Sequence, residues 1–180
     1  MKIISGFLKG RKVDGYTIPG TRPTMDRVKE SVFGMIQNDI HDSIVLDLFA
    51  GSGSLGIEAI SNGAKKAYFV DHNRKCIEGI NRNIKEFDIS SYSEVLCCDY
   101  MEALKSFHNM KFNIIFLDPP YASRDIPKII EYLLQNDMLE EDSKIICEIS
   151  DISLKKEYDN LSIWKEKKYS DKYVVIYRKY

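Results

Sequence analysis

Long hydrophobic runs are missing from this sequence of 180 residues. The longest largely apolar stretches, such as Ile44–Ala50 and Ile114–Leu117, fall far short of the roughly 20 residues that a membrane-spanning helix needs. The amino terminus also lacks the apolar core of a signal peptide, because Lys9, Arg11 and Lys12 interrupt it. We therefore expect a cytoplasmic protein that does not associate with a membrane.

Cysteine, proline and glycine are scarce, at four, five and ten residues. So little proline and glycine excludes a collagen-like or low-complexity chain. The cysteines lack zinc-site spacing, so we expect buried free thiols with neither a disulfide nor a metal site. Cys97 and Cys98 are neighbours in a predicted strand and should face opposite sides of it.

The net charge is also small, at −1, but it is unevenly distributed. Residues 1–29 carry seven basic side chains against two acidic ones, and residues 165–180 carry six against two. The 135 residues between them therefore have a net charge of −10. Basic flanks on an acidic body are typical of a protein that binds a polyanion, although solvated charged faces explain them equally well.

Apolar, strand-like runs alternate with helical patterns between residue 44 and about residue 149. This alternation predicts an α/β fold with a doubly wound, mainly parallel sheet that is covered by helices on both faces. Two later β-rich runs, Leu161–Tyr169 and Lys172–Tyr177, predict a closing antiparallel hairpin. The five predicted parallel strands are Ile44–Phe49, Ala67–Asp71, Glu94–Cys98, Phe112–Leu117 and Lys144–Ile149.

The first 40 residues differ from the rest of the chain. Lys2–Ser5 and Arg11–Val13 predict a small β-hairpin, and Pro23 and Thr24 open a predicted helix. We expect one domain of 180 residues, in which a basic amino-terminal extension (1–40) precedes an α/β body (41–180). A monomer is expected.

Three glycines follow the first predicted strand. Gly51, Gly53 and Gly56 form a G-x-G-x-x-G pattern between a strand and a helix, where the backbone turns tightly and approaches a ligand closely. Asp71 ends the next strand, and a carboxylate there can accept hydrogen bonds from ribose hydroxyls. These two features fit a dinucleotide and an adenosine-containing methyl donor equally well.

Asp47, four residues before Gly51, separates these two possibilities. A carboxylate at the mouth of the loop repels a pyrophosphate but attracts the amino group of a methionine moiety. Asp47 therefore favours S-adenosylmethionine, the alternative being that it only orients the loop. Phe49 and Ser52 belong to the same segment and are included among the predicted cofactor-binding residues.

Asp99 ends the third predicted strand. Its carboxylate can accept a hydrogen bond from an adenine amino group, or it can cap the helix predicted at residues 101–108. Both roles are compatible with one another.

The run Asp118, Pro119, Pro120, Tyr121 follows the fourth predicted strand. The carboxyl ends of parallel strands line the ligand crevice, so this tetrapeptide should face the glycine loop. Acceptors on Asp118 and a proline carbonyl could hold both N–H groups of an exocyclic amine and orient its lone pair towards a methyl donor. The prolines stiffen the loop, and Tyr121 could stack on an extruded base.

These residues resemble a known family. Asp47–Gly53 with Asp118–Tyr121 resembles the class I methyltransferases that methylate amino groups, whose DNA and RNA enzymes share an Asp/Asn-Pro-Pro-Tyr/Phe motif. Met1–Gly6, Lys9–Lys12 and Thr21–Phe33 are similar to the RsmD family. The resemblance runs from residue 1 to about residue 150, and more loosely to Tyr177. Asp71 stands where glutamate is frequent, which keeps the carboxylate but shortens its reach.

The resemblance implies methylation of the exocyclic N2 amino group of a guanine in 16S ribosomal RNA, guanine 966 being the family's target. S-adenosylmethionine is the implied cofactor, and the RNA or the assembling small ribosomal subunit is the implied partner. It also makes Arg11, Lys12, Arg22 and Arg27 candidates for phosphate contacts. The alternative for Arg22 and Arg27 is ion pairing with Asp26 or Glu30.

Three other functions remain open from the residues alone. A DNA or RNA methyltransferase acting on adenine N6 would share the same chemistry, although a DNA enzyme would need a target-recognition region. An NAD-dependent oxidoreductase would use the glycine loop, but Asp47 disfavours it. A non-catalytic RNA-binding module would leave Asp118–Tyr121 without a role.

Overall fold

A single mixed sheet organises the computed structural model, which describes residues 1–15, 24–119, 125–150, 154–170 and 172–180. The strand order is β3-β2-β1-β4-β5-β8-β7-β6. Strands β1 to β5 are parallel to their neighbours, and β8, β7 and β6 continue the sheet in antiparallel fashion. The strands are β1 Ile44–Asp47, β2 Lys66–Asp71, β3 Ser93–Cys97, β4 Phe112–Leu117, β5 Leu139–Ile149, β6 Glu157–Tyr158, β7 Leu161–Tyr169 and β8 Lys172–Lys179.

Helices cover both faces of this sheet, as the apolar strands predict. Helices α1 (Thr24–Ile36), α2 (Ser54–Ser61) and α3 (Arg74–Glu86) contribute to the core on one face. Helices α4 (Tyr100–Ser106) and α5 (Ile126–Gln135) contribute to the core on the other. The predicted doubly wound α/β fold with a closing hairpin is confirmed. The chain reverses its winding direction between β1 and β4, where such sheets open a ligand crevice at the carboxyl ends of their strands.

The amino-terminal segment forms the small hairpin predicted from the sequence, closed by one antiparallel bridge between Lys2 and Lys12. The Ile3 amide donates to the carbonyl of Arg11 at 2.9 Å, and the Gly10 amide donates to the carbonyl of Ile3 at 2.8 Å. Ile3, Leu8 and Val13 are buried in the same core cluster as α1, α2 and α3. The segment is therefore packed into the body of the fold.

A buried ion pair links this segment to helices α1 and α2. Lys29 Nζ of α1 lies 3.0 Å from Glu58 Oε2 of α2, and both side chains are almost fully buried. Glu58 accepts hydrogen bonds from the amides of Ile4 and Ser5, while Lys29 donates to the carbonyl of Lys2 at 2.7 Å. Charged side chains are rarely buried without such partners, so this network fixes three separate segments together.

The structure corrects two predictions of detail. Strand β5 begins at Leu139 and not at Lys144, because Leu139 pairs with Phe112 before a register irregularity in the β4–β5 ladder. The four cysteines are free, but only Cys76 and Cys147 are buried, whereas Cys97 is exposed and Cys98 is partly exposed. Cys97 is exposed because it ends β3, which is an edge strand of the sheet.

Candidate active site

The glycine loop joins β1 to α2 at the crevice. Gly51 and Gly53 adopt left-handed backbone conformations with φ of 54° and 77°, which glycine reaches without steric cost. A Cβ added at Gly51 would meet no atom within 4 Å, so this part of the loop faces open space. The loop therefore presents bare backbone where the pattern predicts a bound ligand.

Gly56 has a different role from the other two glycines. A Cβ at this position would lie 2.3 Å from a ring carbon of Phe69. The residue therefore lets α2 pack closely on β2, as the third glycine of such a pattern does.

Asp47 ends β1 beneath the loop and is buried. Its Oδ2 accepts a hydrogen bond from the Gly56 amide at 3.2 Å, so the carboxylate does orient the loop. Burial raises the pKa of Asp47 to about 7, the Gly56 amide opposes this, and the carboxylates of Asp118, Asp71 and Glu148 raise it further. The side chain is therefore a buried acid among other acids, at the place where the cofactor's cationic methionine end is predicted.

Asp71 and Asp99 are likewise held by backbone amides. Asp71 accepts from the amides of Gly51 and Asn73, each at 2.8 Å. Asp99 accepts from the Met101 amide at 2.9 Å as the N-cap of α4, which confirms the predicted cap. Each carboxylate oxygen has a second lone pair, so these bonds leave capacity for a ligand.

Phe49 and Ser52 lie at the two sides of the loop. The ring of Phe49 packs against Tyr100 of α4, with centroids 5.4 Å apart. Ser52 is in contact with the amino-terminal segment, since a Cβ at Gly15 would lie only 2.4 Å from its Cβ. The amino-terminal segment therefore reaches the predicted cofactor loop.

Asp118 follows β4 and shares a pocket with Glu148, near the end of β5. Burial raises the pKa of Asp118, and the positive charge of Lys172 opposes that rise. Burial and the nearby Asp118 raise the pKa of Glu148 to about 7. Lys172 Nζ lies 3.6 Å from Glu148 Oε2, so one lysine partly compensates two carboxylates. Pro119 follows Asp118, while Pro120 and Tyr121 lie outside the described residues.

Glu148 and Lys172 are site residues that the sequence did not identify. Glu148 ends an apolar run at a strand terminus, the same signal that identified Asp118, and could have been found in that way. Lys172 opens β8, and only the antiparallel pairing of β8 with β5 brings it to the crevice. No group of three or more His, Cys, Asp or Glu side chains within the described ranges could hold a metal ion.

The basic residues predicted to contact RNA are differently placed. Arg11 lies 3.7 Å from Glu86 and 4.8 Å above the ring of Phe87, so it is tied to α3. Lys12 and Arg27 are exposed, and neither forms an ion pair within the part of the chain that the structure describes. Arg22 lies outside the described residues.

No helix in the described segments is long and apolar enough to cross a membrane.

Comparison with known proteins agrees with this geometry. A family model described as Conserved hypothetical protein 95 matches residues 1–178. The ribosomal RNA small subunit methyltransferase D of Buchnera aphidicola is 38% identical over 146 residues, covering 81% of this chain and 76% of that protein. The enzyme of the same name from Haemophilus influenzae is 37% identical over 150 residues, covering 82% of this chain and 78% of its own.

A solved structure shows the same architecture over the whole chain. The protein yhhF from Escherichia coli superposes with a TM-score of 0.88 at 31% identity, covering 99% of this chain and 97% of its own. A matching family model, these relatives and this fold lead to one assignment. The chain belongs to the RsmD family and is a class I methyltransferase with S-adenosylmethionine as its cofactor.

Proposed function

We propose that this protein methylates the exocyclic N2 amino group of a guanine in the 16S ribosomal RNA of the small subunit. The observation that carries the proposal is the position of Asp118, directly after β4, where it lines a small cleft together with Glu148 and with Leu55 of the glycine-loop segment. Relatives named ribosomal RNA small subunit methyltransferase D support RNA as the substrate. The proposal includes guanine 966 as the target and action as a cytoplasmic monomer without a metal.

The residues of the crevice fit the cofactor. The carboxylates of Asp71, Asp118 and Glu148 all lie near enough to Asp47, at this edge of the sheet, to raise its pKa. S-adenosylmethionine carries a sulfonium and an ammonium group, and its sulfonium supplies an electrophilic methyl group. We propose that Asp47 attracts the ammonium, that Asp71 accepts from the ribose and that Asp99 accepts from the adenine. Gly51, Ser52, Gly53 and Phe49 would form the surface on which the cofactor lies.

Asp118 would act on the base. Its carboxylate accepts a hydrogen bond from the amino group, which draws the nitrogen lone pair out of conjugation with the ring and fixes its direction. With S-adenosylmethionine bound, the nitrogen would take its methyl group as the carbon–sulfur bond breaks, and the nitrogen would lose one proton to a carboxylate or to solvent. Pro119 and Pro120 would stiffen the loop, and Tyr121 would stack on the base.

Replacement of Asp118 tests this proposal. We expect Asp118→Ala to lower kcat by roughly 100-fold or more, since an acceptor aimed at the reacting amine is lost. The variant should remain folded and should still bind RNA. A suitable control is Asp88→Asn, because Asp88 is exposed and its left-handed backbone suits asparagine.

The assay is transfer of radiolabelled methyl to small ribosomal subunits that lack the modification, followed by nucleoside mass spectrometry. Label in N2-methylguanosine supports the proposal. Label in N6-methyladenosine would support methylation of an exocyclic amino group but would show that the target base is adenine and not guanine. Near-normal turnover by Asp118→Ala would contradict the role proposed for Asp118.

A further inference from the structure

One surface lies beside the crevice without being part of it, between helix α1 and strand β7. We call it the α1–β7 face and define it by Arg27 and Ser31 of α1 and by Lys165, Lys167 and Tyr169 of β7. Lys167 Nζ lies 3.2 Å from Ser31 Oγ, and the Tyr169 hydroxyl donates to the same oxygen. Arg27 precedes Ser31 by one helical turn and so lies on the same side of α1.

A β-bulge in β7 determines which of its charged side chains face α1. The register with β8 shifts between Ile163 and Lys165, which makes Trp164 the inserted residue and reverses the alternation of side chains beyond it. Lys165 and Lys167 then pair with Ile176 and Val174, whose side chains belong to the core on the α1 side.

The other residues of β7 face away. Glu166 and Lys168 pair with Val175 and Tyr173, whose side chains belong to the opposite core. The only acidic residue of β7 is therefore directed away from the α1–β7 face, and two lysines are directed onto it.

The charges of these side chains are not neutralised by acidic partners. Within the described residues, none of Arg27, Lys165 and Lys167 forms an ion pair. Two acidic side chains near this end of the sheet already have partners. Asp39 lies 2.7 Å from Lys144, and Asp142 lies 2.6 Å from Arg178.

The only tryptophan of the chain lies at the far end of this face. Trp164 is 37% exposed and borders a groove of about 350 Å³ that the end of α1 lines on its other side. Lys165 Nζ lies 3.9 Å from the centre of its ring. A large exposed ring with a cation beside it is the combination on which unpaired bases stack in single-stranded nucleic acid complexes.

The opposite end of the face adjoins the active site. Tyr169 pairs with Lys172, which contacts Glu148 in the crevice. The face then follows α1, whose 13 residues span about 20 Å. A strand of RNA leaving the crevice could therefore follow the face over several nucleotides.

We infer that the α1–β7 face binds unpaired RNA that flanks the target nucleotide, with Arg27, Lys165 and Lys167 contacting phosphates and Trp164 stacking on a base. The inference rests on the proposed function, because it takes RNA as the substrate. It joins Arg27, one of the amino-terminal residues predicted to contact RNA, to side chains of the carboxyl-terminal hairpin that the sequence did not identify as RNA-binding.

The chain offers a matched pair for the test. Lys167→Gln and Lys168→Gln remove the same charge from neighbouring positions on opposite faces of β7. Each variant is assayed for methyl transfer to unmodified 16S ribosomal RNA, and its equilibrium binding to the same RNA is measured over a range of salt concentrations. Lys167→Gln should raise KM for RNA and reduce the slope of log affinity against log salt by about 0.7, with kcat and cofactor affinity unchanged. Lys168→Gln should behave as the parent.

Trp164 provides a direct readout, since it is the only tryptophan. Its fluorescence should be quenched when the full-length protein is titrated with unmodified 16S ribosomal RNA. Trp164→Leu should weaken RNA binding about tenfold, the typical effect of losing one stacking ring. Circular dichroism on every variant verifies that the fold is retained.

The outcomes separate the inference from the proposed function. If the parent methylates guanine N2 while Lys167→Gln, Lys168→Gln and Trp164→Leu all bind RNA equally, the inference is overturned and the proposed function stands. Quenching by RNA-free small-subunit proteins, and not by RNA, would overturn it in favour of a protein partner. A parent that binds S-adenosylmethionine but neither binds nor methylates ribosomal RNA would overturn both.

Discussion

The two basic ends of this chain look alike in sequence and differ in the folded protein. At the amino-terminal end, Lys29 is buried against Glu58 and Arg11 is tied to Glu86 and Phe87. At the carboxyl-terminal end, Lys165 and Lys167 form no ion pair within the described residues and share a face of β7. These four side chains are therefore used differently although the two ends have similar net charges. Each end also contains the other kind of cation, since Lys12 and Arg27 form no ion pair within the described residues, whereas Lys172 and Arg178 do.

This difference shows what a charge count can establish. A lysine that is paired inside the protein contributes to folding and is unavailable to a polyanion, whereas an exposed unpaired lysine can release counterions on binding RNA. Nothing in the local sequence separates the two cases, because the partner Glu58 is 29 positions from Lys29. Variants at the two ends should accordingly divide into those that change stability and those that change RNA affinity.

The largest effect is expected at Lys29. Lys29→Met would leave the buried Glu58 carboxylate without its counter-charge, and breaking a buried pair in this way costs about 3–5 kcal/mol. Chemical denaturation of the purified protein would measure the loss. Lys167→Met serves as the control and should change stability by less than about 0.5 kcal/mol. A loss at Lys29 as small as that of the control would contradict the contrast between the two ends.

Lys172 should show an intermediate effect, seen in the pH dependence. It is the cation of the carboxyl-terminal region that faces the crevice, where its charge lowers the pKa of both Asp118 and Glu148. We expect Lys172→Met to raise both pKa values and to move the acidic limb of the kcat profile to higher pH, since an ionised Asp118 is the stronger acceptor. The profile would be measured on parent and variant at saturating RNA. An unchanged acidic limb would show that this charge does not govern activity.

The raised pKa of Glu148 also makes the stability of the folded protein depend on pH. The pKa of Glu148 in the folded protein is about 7, above its ordinary value of 4.5, so the folded state retains a proton that the unfolded state has lost between these values. The contribution of Glu148 to stability is therefore greatest below pH 4.5 and is lost as the pH rises through 7. Glu148→Gln should remove that part of the pH dependence from denaturation curves.

The smallest effect is expected at Arg11. Its ion pair with Glu86 is exposed on both sides, and such pairs contribute about 0–1 kcal/mol. Arg11→Gln should therefore lower the free energy of unfolding by less than about 1 kcal/mol, as measured by denaturation. A loss close to that of Lys29→Met would contradict the expectation that a buried cation contributes more to stability than an exposed one.

Much of the site could be predicted because its signals are local. Strand β4 is a short apolar run that ends in Asp118, and β1 ends in Asp47 before the glycine loop. Parallel strands bring such ends to one edge of the sheet, so the pattern also indicates which residues meet. Lys172 could not be predicted in this way, because it reaches the crevice only through the antiparallel pairing of β8.

The periodicity of the sequence by itself determined the strand and helix order, the doubly wound sheet, the glycine loop and the strand-end carboxylates. The tertiary structure alone decided which charges are buried in pairs and which remain exposed. It also decided which lysines of β7 face α1, because the bulge at Trp164 reverses the alternation that a regular strand predicts. The physical reason is that periodicity depends on neighbouring residues, whereas ion pairs and sheet register depend on contacts between residues that are distant in the chain.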